Sequence, residues 1–202
     1  MKTLTIFLVS GLAIAAAAQT SLKTFTGPDD IFRFQYAATL VNCMSPQSPA
    51  SGSCMSQGDI CIGPGSEGST LACFAYPNER FKDKPSFVAA TFYVSEIQAA
   101  TAEKACLEKS PNWYVISSKK SMTTINHVIF KTFEIGDNWT SGGQYGPVYR
   151  TFHDGKCYEL GIQNVVSRAE YDPGTVKKFT ENDESEVEGR LRQCLNSFLF
   201  LK

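Results

Sequence analysis

The stretch from Tyr145 to Asn164 constrains this chain most: two runs of alternating residues meet at Asp154-Gly155. An Asp-Gly pair suits the two positive-φ positions of a type I′ turn, so the stretch reads as a β-hairpin. A two-residue loop sets His153 opposite Lys156, Phe152 opposite Cys157, Thr151 opposite Tyr158, Arg150 opposite Glu159 and Tyr149 opposite Leu160. The register supports itself. Arg150 and Glu159 meet with complementary charge, worth about 0.2–1 kcal/mol, while Tyr149, Thr151, Tyr158 and Leu160 share the other face. A slip by one residue destroys both patterns. Apolar groups on both faces imply an internal pair of strands, covered on both sides.

Lys2 and the apolar run Thr3–Ala18 have the form of a secretory signal peptide, with Ala16 and Ala18 as the small residues before the cut. The run is shorter than the roughly 20 residues a membrane span needs. The reading is therefore a signal peptide over 1–18 and one secreted domain over 19–202, with a Cys-rich loop at 42–73. It places the protein outside the cytoplasm, secreted or periplasmic, with no stable membrane anchor after cleavage. Lys and Arg number 19 against 20 Asp and Glu, and no basic run exceeds Lys119-Lys120 or Lys177-Lys178. Such a chain lacks the concentrated basic footprint of nucleic-acid binding.

All seven cysteines follow the cleavage site, and in an oxidising compartment disulfides are the default. Spacing alone leaves the pairing open. Position narrows it: Cys43, Cys54, Cys61 and Cys73 share one Gly-, Pro- and Ser-rich segment, favouring Cys43–Cys73 around Cys54–Cys61. Cys106 on a helix and Cys157 on the hairpin would tie the two together. Cys194 is then left as a buried thiol on an apolar helix face.

Lys23–Thr26 and Ile31–Tyr36 read as an entrance hairpin turning at Gly27-Pro28-Asp29-Asp30. Leu71–Tyr76 and Ser86–Val94 read as strands, the second apolar enough to be internal. Thr101–Lys109 reads as a helix stopping before Pro111, and Trp113–Ile116 as a short strand. Ile125–Ile135 reads as one long strand, with His127 among Ile125, Ile129, Phe133 and Ile135 on one face. Glu181–Asn196 is a helix opened by acids, with Val187, Leu191, Cys194, Leu195 and Phe198 as its apolar stripe. Phe198–Leu201 returns to a sheet edge.

Chemical signatures are sparse. Gly63-Pro-Gly-Ser-Glu-Gly68 matches a dinucleotide fingerprint in letters, but a Cys-rich loop precedes it and a strand follows, the wrong context. The cysteine spacings do not suit zinc, so neither metal nor cofactor is expected. His127 reads as a packed core imidazole and His153 as a turn neighbour. Asn138-Trp-Thr140 is a glycosylation sequon. Trp139 and Tyr145 in the loop before the hairpin, with Arg150, His153 and Glu159, are the candidate contacts for a partner or ligand.

Phe32–Tyr36, Ala89–Val94, Ile125–Phe130, Tyr149–Leu160 and Leu195–Phe200 together resemble segments of secreted bacterial proteins and, more distantly, the Mog1/PsbP-like group. That resemblance implies an α+β fold, a central antiparallel sheet covered by helices (α/β/α), from which the disulfide-stapled loop insertion at 43–73 departs. It also implies binding or assembly rather than catalysis. The expected function is an exported, non-enzymatic domain that binds a protein partner or small ligand. The alternative is a hydrolase using His127 or His153.

Overall fold

The computed structural model describes residues 21–45, 54, 61, 68–108, 115–140, 142–167 and 177–202. The signal-peptide segment, Gly63–Glu67 and Trp113 lie outside these residues. Ten strands are described: β1 (Leu22–Thr26), β2 (Phe32–Ala37), β3 (Val41–Asn42), β4 (Gly68–Ala75), β5 (Phe87–Ile97), β6 (Val115–Ile125), β7 (Val128–Trp139), β8 (Gly142–His153), β9 (Lys156–Ser167) and β10 (Leu199–Phe200). Helices α1 (Glu103–Glu108) and α2 (Glu181–Ser197) complete the order. A seven-stranded sheet runs β3-β4-β5-β9-β8-β7-β6 and a small sheet runs β1-β2-β10, every pairing antiparallel.

The Asp154-Gly155 hairpin forms in the register its residues dictate, with Arg150 opposite Glu159 and φ of 47° and 75° at the two turn residues. Strand β5 lies inside the sheet between β4 and β9, buried along nearly all its length. One face of the large sheet carries Phe74, Phe92, Leu160, Ile162, Tyr149 and Phe130, all in the main core. Helix α2 covers it with Val187, Leu191, Cys194 and Leu195, and β2 covers it with Phe32 and Phe34. Phe34 stands edge-on to Phe74 and Phe92, centroids 5.4 and 5.1 Å away, a geometry favoured by the ring quadrupoles.

The α/β/α expectation is therefore corrected: among the described residues the protein is mostly β, two antiparallel sheets with one long and one short α-helix. Part of the layer over the first face is a second sheet. Phe-Arg-Phe in β2 alternates with period two, so a strand presents the apolar pair that a helix would otherwise supply. The second face is covered at one end by α1, whose Cys106 is bonded to Cys157, and at the other by a packed group of four cysteines. The nested pairing is also corrected. Cys43 is bonded to Cys54 and Cys61 to Cys73, with Cα separations of 5.6 and 5.4 Å, while Cys194 keeps a free, buried thiol.

Ile125–Ile135 is not one strand. Asn126 and His127 both take positive φ, 45° and 70°, and fold the chain back as a tight turn between β6 and β7. Asn126 donates its amide hydrogens to the carbonyls of Asn196, at 3.0 Å, and Phe198, at 2.8 Å. The turn thus satisfies carbonyls at the end of α2 that no intrahelical partner reaches. His127 is consequently exposed, not packed in the core.

At the other end of α2, Thr180 and Asp183 form a capping box. Asp183 accepts from the Thr180 amide at 2.8 Å, and its own amide donates to the Thr180 hydroxyl. Lys84 donates to the same carboxylate at 2.5 Å and, with the Thr180 groups, holds its pKa down at about 2. An unfolded aspartate titrates near pH 3.9, so this stabilisation is complete above about pH 4 and disappears as pH falls through about 2. Urea midpoints measured from about pH 2 to 7 should therefore fall more steeply in acid for the native protein than for Asp183→Asn. At neutral pH the variant should be less stable by about 1 kcal/mol, the usual worth of a cap. Parallel acid limbs for the two proteins would refute this role.

Candidate functional site

Helix α2 and the small sheet lie side by side on the large sheet, in contact through β2, and solvent reaches the outer side of α2 and the junction of its last turn with β2. The exposed side of α2 presents Ser185, Glu186, Gly189, Arg190, Gln193, Asn196 and Ser197 around a shallow, open depression of about 610 Å³. These positions recur every three or four residues, so they form one row along the helix axis. At Asn196 and Ser197 the depression meets a pocket of about 410 Å³ bordered by Thr24, Arg33, Gln35, Asn126 and Leu199, with Phe34 beneath. The alternation that buries Phe32 and Phe34 turns Arg33 and Gln35 outward, and pairing sets Thr24 opposite Gln35.

Ser197 closes the floor. Its hydroxyl accepts from the Gln35 backbone amide at 2.8 Å, replacing a strand partner before β10 begins, and lies 2.8 Å from the Gln193 carbonyl. Glu186 is held in place by the Tyr76 hydroxyl at 2.8 Å and by Arg80 at 3.1 Å. Burial, followed by the Glu186 hydrogen bond, pushes the Tyr76 phenol up to about 12, so it stays a neutral donor. Gly189 sits in mid-helix in the depression, with nothing within 4 Å of where a Cβ would stand. The lining offers side-chain amides, hydroxyls, two guanidinium groups and one carboxylate.

The residues singled out from the sequence lie elsewhere. Arg150 and Glu159 meet inside the second face of the large sheet, Nε to Oε2 2.6 Å, with only 5% and 2% of their surfaces exposed. The Tyr93 ring lies across Gly161, where any β-carbon would strike it, and the Tyr93 hydroxyl donates to Glu159 at 3.0 Å. Burial first, and the Glu159 charge second, raise that phenol well above its ordinary range. The Arg150 guanidinium also stands over the Phe133 ring, 5.6 Å from its centroid.

Tyr145 is half-buried and donates to Glu184 at 2.7 Å, on the side of the sheet that α2 covers. His153 stacks on Phe200 with centroids 3.8 Å apart, and its Nε2 lies 2.6 Å from the Lys202 carbonyl. The Trp139 side chain falls outside the described residues. Among the described residues no carboxylate and no cysteine is paired with either histidine. The residues lining the depression had escaped the sequence reading. The one signal for them was Gly189, an isolated glycine in a stretch of good helix formers.

The fold and the exposed side of α2 define a disulfide-bonded, two-sheet β protein with a polar depression on its surface. No family model and no curated protein sequence matches the chain. Among solved structures it is similar to LpqN, described as involved in cell envelope biogenesis of Mycobacterium tuberculosis. The identity is 10% and the TM-score 0.37, over 92% of this chain and 87% of that one. A likeness at that level carries no argument about activity.

Proposed function

We propose that this protein is an exported, non-enzymatic domain that binds an extended peptide segment of a protein partner, one carrying an acidic group, along α2. The observation that carries the reading is the polar outer surface of α2, open at Gly189 and continuous at Asn196 and Ser197 with the pocket beside Arg33 and Gln35; its one carboxylate, Glu186, is already engaged by Tyr76 and Arg80. Asn and Gln side chains pair a donor with an acceptor, the complement of a peptide unit, and Arg33 complements a carboxylate with a planar donor fork. The row from Glu186 to Ser197 spans about 16 Å of helix, the length of roughly five extended residues. Three disulfides support export to an oxidising compartment.

A mid-helix glycine costs about 0.5–1 kcal/mol relative to alanine, and here the space above it is free. Gly189→Ala is thus expected to stabilise the protein by about that amount in urea titrations. Gly189→Leu should keep the fold but fill the depression. On arrays of acidic and neutral peptides, native protein should retain acidic sequences, and Gly189→Leu and the Arg33→Ala/Gln193→Ala/Asn196→Ala protein should lose at least about tenfold in affinity. Equal binding by all three proteins, at matched thermal stability, would sink the reading.

A further inference from the structure

Three sulfurs that belong to two different disulfides stand together. The Sγ atoms of Cys43, Cys61 and Cys73 all lie within 4.8 Å of one another, although Cys43 is bonded to Cys54 and Cys61 to Cys73. Strand pairing brings them there. Val41 and Asn42 face Ala75 and Phe74, and the Cys43 amide donates to the Cys73 carbonyl at 2.9 Å, so Cys43 arrives opposite Cys73. The two cysteines that face each other across the ladder are therefore each bonded to a different partner. All four side chains pack in one group with Ala75. Cys54 is the most accessible, 8% exposed against 1% for Cys43, 3% for Cys61 and none for Cys73.

From this geometry we propose that Cys43, Cys54, Cys61 and Cys73 form a thiol–disulfide exchange centre, in which an external thiolate converts the two bridges into Cys43–Cys73 and Cys54–Cys61. The external thiolate attacks Cys54 Sγ, forming a mixed disulfide and releasing Cys43 as a thiolate. Cys43 then attacks Cys73 Sγ, forming Cys43–Cys73 and expelling Cys61 as a thiolate. Cys61 attacks Cys54 Sγ, forming Cys54–Cys61 and releasing the external thiolate. Three S–S bonds form and three break, no electrons are gained or lost, and the thiol acts as a catalyst.

Exchange needs a first sulfur that a thiolate can reach and then a thiolate beside its next target: Cys54 is the least buried of the four, and Cys43, once released, lies within 4.8 Å of Cys73 and Cys61. Cys194 stands apart in the main core, bonded to none of the four, and burial pushes its thiol up to about 12. It cannot act as the attacking group at neutral pH. The exchange replaces two short closed loops, with sequence separations of 11 and 12, by a covalent tie between β3 and β4.

The test is disulfide mapping by mass spectrometry after native protein is held in a glutathione redox buffer, with acid quenching and alkylation. Peptides joined through Cys43–Cys73 and Cys54–Cys61 are expected with glutathione and not without it. They should form at least about tenfold faster than any bridge to Cys106 or Cys157, because the reacting sulfurs are already neighbours. A Cys54→Ser protein gives a second reading that needs no added thiol: its free thiol, starting on Cys43, should also be found by alkylation on Cys61. Retention of the original pairing in glutathione, label confined to Cys43 in Cys54→Ser, or equally fast bridging to Cys106 or Cys157 would each overturn the proposal.

Discussion

Glu159→Ala is expected to destabilise the protein by about 3–5 kcal/mol, read as a fall in the urea midpoint. The carboxylate is buried, accepts from Arg150 at 2.6 Å and from Tyr93 at 3.0 Å, and lies in a cross-strand row with Ser95, Arg150 and Lys131. Removing it takes away the carboxylate that faces the buried Arg150 cation, and losing the counter-charge of a buried ion accounts for a loss of that size. The pair itself is worth far less than its removal costs. Replacing both partners, Arg150→Met with Glu159→Leu, restores an apolar fill and should recover most of the loss. By contrast, Glu188→Ala on the exposed Arg192 pair should change stability by no more than about 0.5 kcal/mol. If Glu159→Ala and Glu188→Ala cost the same, the interior pair has no special role.

The second large effect is expected at the bridge between α1 and the hairpin. Cys106 and Cys157 are 51 residues apart in sequence, and the loop-closure entropy removed from the unfolded chain corresponds to about 4 kcal/mol. The Cys106→Ala/Cys157→Ala protein should therefore unfold at a markedly lower urea concentration. α1 has six residues and one fully buried side chain, Cys106 itself, so it has little else to hold it on the sheet. Amide exchange should accordingly quicken across 103–108 more than across α2. Unchanged protection of α1 in the double variant would show that Leu107 packing, and the Lys131 bond to the Leu107 carbonyl, hold the helix without the bridge.

The limits of the sequence reading follow from where the deciding interactions lie. Asp154-Gly155 carries its own turn preference, and the Arg150–Glu159 match confirms the register from within the same twenty residues. The acidic start and apolar stripe that mark α2 are equally local, repeating every three or four residues. Asn126-His127 has no glycine and continues an apolar alternation on both sides, so one strand was the natural reading. Its turn is held by carbonyls some 70 residues away. The site lay beyond reach for the same reason: Arg33 and Asn196 border one pocket only because β2 and α2 share a face of the large sheet.

The sequence alone determined the central hairpin and its register, the extent of the long helix, and the alternation that makes β2 two-faced, because each rests on contacts within a few residues. Tertiary structure decided that a strand pair and a helix together cover the first face, and which cysteines are bonded. It also decided that Arg150 and Glu159 are interior while Arg33, Gln193 and Asn196 stand open. Those outcomes depend on which distant surfaces exclude water from one another, and no local pattern encodes that choice.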